Sequence, residues 1–123
     1  MRRILVVDDD DDIRDLMIAV LSPDYEVSSA RDGMEGLELA RRLRPDLVVL
    51  DLLMPRMHGF EVCQRIRGDA DLRAAKVLIS SSKSYPLDVN TAVEETGADG
   101  YIVKPFAIDE FKARVAALLK EVP

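Results

Sequence analysis

Leu47-Val48-Val49-Leu50-Asp51 is a run of four apolar residues closed by a carboxylate. It does not alternate between apolar and polar, so it reads as a strand covered on both faces. Ile4-Leu5-Val6-Val7 has the same form and is closed by Asp8. Val77-Leu78-Ile79 runs into Ser80-Ser81-Ser82, and Tyr101-Ile102-Val103 runs into Lys104-Pro105. Tyr25 to Ser28 makes a weaker strand after the first. Five strands are therefore expected, four of them ending in residues that carry chemistry.

Between the strands the period changes. Ile13, Leu16, Met17, Val20 and Leu21 fall three and four residues apart, one face of a helix. Ser22-Pro23-Asp24 breaks it. Arg31-Asp32-Gly33 turns into a second helix with Met34, Leu37, Ala40 and Leu43 inward, stopped before Pro45. A third helix is expected over Phe60 to Arg67. A fourth is expected over Pro86 to Thr96, capped by Gly97. A last helix turns Ile108, Phe111, Val115, Leu118 and Leu119 inward. Strands that alternate with helices give (βα)5, an α/β fold. Each crossover is long enough to return the chain parallel, so the sheet is parallel and covered on both sides.

The chain has 123 residues, and the whole of it, 1–123, is expected to form a single domain. Hydrophobic residues make up 48% and charged residues 33%, the balance of a soluble globular protein. No apolar run approaches the roughly 20 residues that cross a membrane. The apolar start is too short for a signal peptide, so a cytoplasmic location is expected. The single Cys63 cannot close an internal disulfide, which fits a reducing compartment, and it reads as core. A net charge of −6 argues against direct nucleic-acid binding. Asp8 to Asp12 concentrate that charge in five consecutive carboxylates.

In open α/β sheets, sites form beyond the carboxyl ends of the strands. Those ends hold Asp8 and Asp9, Asp51, Ser80 and Ser81, and Lys104. Three carboxylates at one point repel, by about 4 kcal/mol per pair at 4 Å and an effective dielectric near 20. One lysine does not offset that. A divalent cation does, and hard oxygen donors in an incomplete shell suit Mg2+, which keeps waters and accepts a phosphate oxygen. Phosphoryl transfer follows as the expected chemistry. Asp51 is the nucleophile, Lys104 and the cation neutralise the oxygens on phosphorus, and Ser81 donates a hydrogen bond to one of them.

Over essentially its whole length the sequence resembles the receiver domain of two-component response regulators, in the single-domain chemotaxis style. The matching pieces are Ile4 to Asp9, Leu47 to Pro55, Gly59, Val77 to Ser81, and Gly100 to Phe106. The resemblance implies a flavodoxin-like, doubly wound parallel sheet of strand order 2-1-3-4-5. It implies Asp51 as the phosphorylation site, served by a histidine kinase or phosphotransfer protein. Asp9 is then a direct ligand of Mg2+ (or Mn2+), with Asp8 acting largely through water. Asp51 and the backbone carbonyl of Leu53 complete the protein ligands. Ser81 is the switch hydroxyl, Tyr101 the switch aromatic that moves inward with it, and Lys104 the phosphoryl-contacting cation. The bond between Lys104 and Pro105 is the family's cis peptide. Phosphorylation would reshape the surface of the fourth helix, fifth strand and last helix. That surface would control an output protein or effector domain, or join two copies in a homodimer.

Some assignments stay open by one position. Asp10 is the alternative to Asp9, and Ser80 and Ser82 flank Ser81. His58 stands where the family commonly has an acid, and reads as a surface histidine. Lys83-Ser84-Tyr85-Pro86-Leu87 is unusual for the start of a fourth helix. Leu53 and Lys83 occupy positions that tune dephosphorylation in the family. Asp10 to Asp12 read more simply as a helix cap with surface charge. Other functions fit less well. An aspartyl-nucleophile phosphatase needs an acid two residues after the nucleophile, where Leu53 stands. Five aspartates would repel the phosphate of a flavin. A pseudo-receiver would lack the acceptor, the metal acids or the lysine. The expectation is a switch and not a multiple-turnover enzyme.

Overall fold

In the computed structural model, the described residues are 1–52, 59–82 and 97–120. Their elements run β1 (Arg3–Val7), α1 (Asp11–Leu21), β2 (Glu26–Ala30), α2 (Gly33–Leu43), β3 (Leu47–Asp51), α3 (Gly59–Gly68), β4 (Lys76–Ser82), β5 (Gly100–Lys104) and α4 (Ile108–Leu119). All strand pairs are parallel, and the order is β2-β1-β3-β4-β5. This is the flavodoxin-like α/β architecture expected. The helix expected over Pro86 to Thr96 lies outside the described residues. Gly97, its expected cap, has a φ of 77°, the left-handed backbone that favours glycine.

The central strands are continuous apolar runs because both of their faces are buried. On one face Leu5, Val7, Val48, Leu50, Val77, Ile79 and Tyr101 pack with Leu37 and Ala40 of α2 and Val62, Cys63 and Ile66 of α3. On the other, Ile4, Val6, Leu47, Val49, Leu78 and Ile102 pack with Met17 and Leu21 of α1 and Phe111, Val115 and Leu119 of α4. Phe106 stacks on Phe111 with ring centroids 4.9 Å apart. Each such side chain contributes about 1.5–3 kcal/mol by leaving water.

β2 is an edge strand and only half-buried, which is why its apolar signal is weak. It occupies Glu26–Ala30, where the sequence suggested Tyr25 to Ser28. Three residues assigned inward by helical spacing are exposed: Leu16, Met34 and Ile108. On α1 the buried line runs through Met17 and Leu21, and Leu16 sits on its flank, outside a stripe narrower than five residues. Met34 and Ile108 lie in the first turns of α2 and α4, at the carboxyl end of the sheet, where little of it remains to cover them.

α1 and α2 start on side-chain caps. Asp10 Oδ1 accepts the N–H groups of Asp12 and Ile13 at 2.9 and 3.1 Å, and Asp32 Oδ1 accepts that of Glu35 at 2.9 Å. Each cap is worth about 1 kcal/mol. α3 has a sequence-distant fastening. Arg67 donates to the carbonyls of Gly97, Arg73 and Ala75 at 2.8, 2.8 and 2.7 Å, and pairs with Asp99. Asp99 in turn accepts the N–H of Val77 at 2.8 Å. One guanidinium thus joins the end of α3 to the segments leading into β4 and β5.

Candidate functional site

The strand order reverses between β1 and β3, since the chain goes outward to β2 from one and to β4 from the other. Asp8 follows β1 and Asp51 ends β3, so the two acids stand on either side of the point where such sheets form sites. Asp8 is 1% exposed and Asp51 7%, while Asp9 faces solvent. One carboxylate oxygen from each of the three lies within 4.8 Å of the others. Like charges at that separation repel by about 3–4 kcal/mol at an effective dielectric of 20.

Fixed donors partly offset this repulsion. Asp8 Oδ1 accepts the N–H of Asp10 at 2.9 Å, and Asp8 Oδ2 accepts from Lys104 Nζ at 2.9 Å. The same ammonium stands 3.6 Å from Asp51 Oδ2. Arg14 donates from α1 to the backbone carbonyl of Asp8 at 2.9 Å and pairs with Asp11. Sequence reading missed Arg14. Its target is a main-chain oxygen six residues back, which no side-chain pattern announces.

Three carboxylates against one ammonium leave two negative charges, and a divalent cation cancels them. The donors fit such an ion. All are hard carboxylate oxygens gathered in one cluster, the ligand type that Mg2+ takes. An acidic site consistent with metal binding is therefore present. Asp10, the alternative ligand, caps α1.

Gly59 sets the floor of the site. A Cβ there would fall 2.3 Å from the backbone oxygen of Asp51, and the Gly59 N–H donates to the carbonyl of Leu52 at 3.0 Å. Only glycine lets α3 begin this close to the end of β3. At the ends of β4 and β5, Ser81 is fully buried and its hydroxyl has no hydrogen-bond partner. Strand alternation puts it on the face of Val77 and Ile79, the face that also holds Tyr101. Tyr101 is 6% exposed and packed into that core. Its backbone oxygen accepts from Arg114 at 2.8 Å. The Lys104–Pro105 peptide is cis. Leu53, His58 and Lys83 lie outside the described residues.

Asp8 and Asp51 are buried beside the exposed Asp9 at the switch point, and both face a lysine that precedes a cis proline. The family model for the response regulator receiver domain matches residues 4–116. This chain belongs to that family. Over 121 residues it is 43% identical to the DNA-binding dual master transcriptional regulator RpaA of Synechocystis, covering 98% of this chain and 50% of that protein. It is also 43% identical over 119 residues to the response regulator MprA of Mycobacterium leprae, covering 96% of this chain and 51% of that one. The chain thus spans about half the length of these curated relatives. Among solved structures, it is similar to the signal receiver domain of a histidine kinase from Syntrophus aciditrophicus. The TM-score is 0.89 and the identity 32%, covering 99% of this chain and 92% of that one. Receiver domains act in two-component signalling by taking up and releasing a phosphoryl group on themselves, not by turning over an external substrate. No helix among the described residues of this receiver is long and apolar enough to cross a membrane.

Proposed function

We propose that Asp51 is the phosphoryl acceptor of this receiver and that a histidine kinase or phosphotransfer protein is the donor. The observation that carries this reading is the Lys104 ammonium shared between Asp8 and Asp51 inside an acidic pocket. In the step, an Asp51 carboxylate oxygen bonds to phosphorus as the bond from phosphorus to the donor's imidazole nitrogen breaks. The electron pair leaves with that nitrogen, which takes a proton. Lys104 stands ready to neutralise an oxygen on phosphorus, and Ser81 offers a hydroxyl with no other partner. Mg2+, with Mn2+ as a substitute, would be held by Asp8, Asp9, Asp51 and the Leu53 carbonyl, and would supply the remaining countercharge.

Both oxygens of Asp8 are already engaged, which favours Asp9 as the more direct ligand. Phosphorylation then shifts a balance between two conformers, with Tyr101 as the switch aromatic that follows Ser81. The surface around β5 and α4 carries the change to an output protein, an attached effector domain or a second copy. RpaA is described as DNA-binding. We place any such contact outside this acidic segment, which we take to be one cytoplasmic domain. The test is incubation with acetyl phosphate with and without Mg2+, followed by intact mass. A single adduct that needs Mg2+ and disappears in Asp51→Asn is expected. Equal labelling of wild type and variant would overturn the assignment.

A further inference from the structure

Ser80 is fully buried, and its hydroxyl has no hydrogen-bond partner. Its neighbour Ser81 is in the same condition, but the two occupy opposite faces of the sheet. Residues along a strand alternate between faces. Leu78 belongs to the core shared with α1 and α4, so Ser80 continues that face. Val6, Val49 and Ile102 belong to the same core, so Asp8, Asp51 and Lys104, each two residues further along, continue it as well. The register agrees, since Asp51 pairs with Ser80, and Ser80 pairs with Ile102.

Lys104 starts on β5, two residues beyond Ile102, and ends at Asp8 beside β1. To stand within 3.6 Å of Asp51 its side chain must span β4, which lies between β5 and β3. The β4 residue paired with Asp51, and on that face, is Ser80. Lys104 now donates to Asp8 at 2.9 Å and stands 3.6 Å from Asp51. A phosphoryl group on Asp51 would draw the ammonium from β1 back to β3, and so toward β4. An ammonium has three donors, and the Ser80 oxygen has free lone pairs.

We propose that Ser80 is a positioning residue for Lys104: its hydroxyl accepts a hydrogen bond from the ammonium as this moves from Asp8 toward the phosphoryl group arriving at Asp51, and keeps it in the phosphorylated form. The proposal rests on the reading of Asp51 as the acceptor. It also gives a reason for a polar atom that the structure at hand leaves unpaired in the core, a rare condition in folded proteins.

The test measures the rate of adduct formation with acetyl phosphate and Mg2+, by intact mass, in four proteins: wild type, Ser80→Ala, Lys104→Gln and the double variant. Ser80→Ala removes an unpaired buried group, so it should melt at or above wild type, and a lost rate is not lost folding. Uptake about tenfold slower is expected in Ser80→Ala. In the Lys104→Gln background the same substitution should change the rate by less than about twofold, because the partner is gone. The Lys104 ammonium signal in 15N spectra, identified by its absence from Lys104→Gln, should be protected from solvent exchange in phosphorylated wild type and lose that protection in Ser80→Ala. Wild-type uptake in Ser80→Ala, or an equal loss in both backgrounds, would overturn the role of Ser80. Absence of any adduct on wild type would instead overturn the acceptor reading beneath it.

Discussion

Lys104 and Asp8 meet at 2.9 Å although their strands, β5 and β1, have β3 and β4 between them. The bond crosses the carboxyl end of the sheet and passes Asp51 at 3.6 Å. It joins the last strand to the first, and it supplies the one basic side chain paired with the acid triad among the described residues.

Removing that cation exposes the repulsion it offsets. Lys104→Met should lower stability without metal by roughly 3 kcal/mol, the usual cost of leaving one member of a buried ion pair alone. Millimolar Mg2+ should recover a larger share in the variant than in wild type, because more uncompensated charge awaits the ion. Urea titrations with and without Mg2+ read both effects. An unchanged midpoint without metal would mean that the three carboxylates do not repel appreciably.

Deleting one of the acids should act in the opposite direction. Asp51→Asn removes a charge from the cluster and leaves the Lys104 to Asp8 bond in place. Its metal-free form should melt higher than wild type, by about 1–2 kcal/mol of added stability. Asp9→Ala should lose most of the stabilisation by Mg2+. A thermal melt of each variant against Mg2+ concentration separates the charge effect from the ligand effect.

Gly59 offers a steric test of how Asp51 is placed. A methyl group 2.3 Å from the Asp51 backbone oxygen cannot be housed unless α3 or the end of β3 moves. Gly59→Ala should cost at least about 3 kcal/mol, in the range of severe overpacking. If the variant folds, phosphoryl uptake should slow by more than tenfold, since a displacement of about 1 Å is enough for such a loss. Ordinary uptake with ordinary stability would show that the close approach is not required.

The strands were legible because burial on both faces writes itself as uninterrupted Leu, Ile and Val. The carboxylates were legible because each one ends such a run. Helix faces were legible only at their centres: Met17, Leu37 and Phe111 are buried as spacing predicted, and Leu16, Met34 and Ile108 are not. Periodicity reports which side of a helix is apolar, but not how far the sheet beneath it extends. The separation of Ser80 from Ser81 needed the register, because three serines in a row show no alternation. Arg14 and Arg67 were illegible for another reason. Both bind main-chain carbonyls, and a carbonyl has no residue type to recognise.

Arg67 is accordingly the residue whose loss the sequence would least lead one to expect to matter. It donates to three carbonyls from two segments and pairs with Asp99, with its side chain three-quarters buried. Arg67→Ala leaves those carbonyls and a carboxylate without their donor, and should cost about 2–4 kcal/mol. Arg67→Lys should recover less than half, because a single ammonium cannot hold the planar fork that reaches several acceptors at once. The clamp lies at the end of α3, away from the first turn where Gly59 meets Asp51. A folded fraction of either variant should therefore take up a phosphoryl group at close to the wild-type rate. Denaturation midpoints and labelling rates measured on the same samples test both halves. A large loss of rate with unchanged stability would place Arg67 among the residues that serve the chemistry rather than the fold.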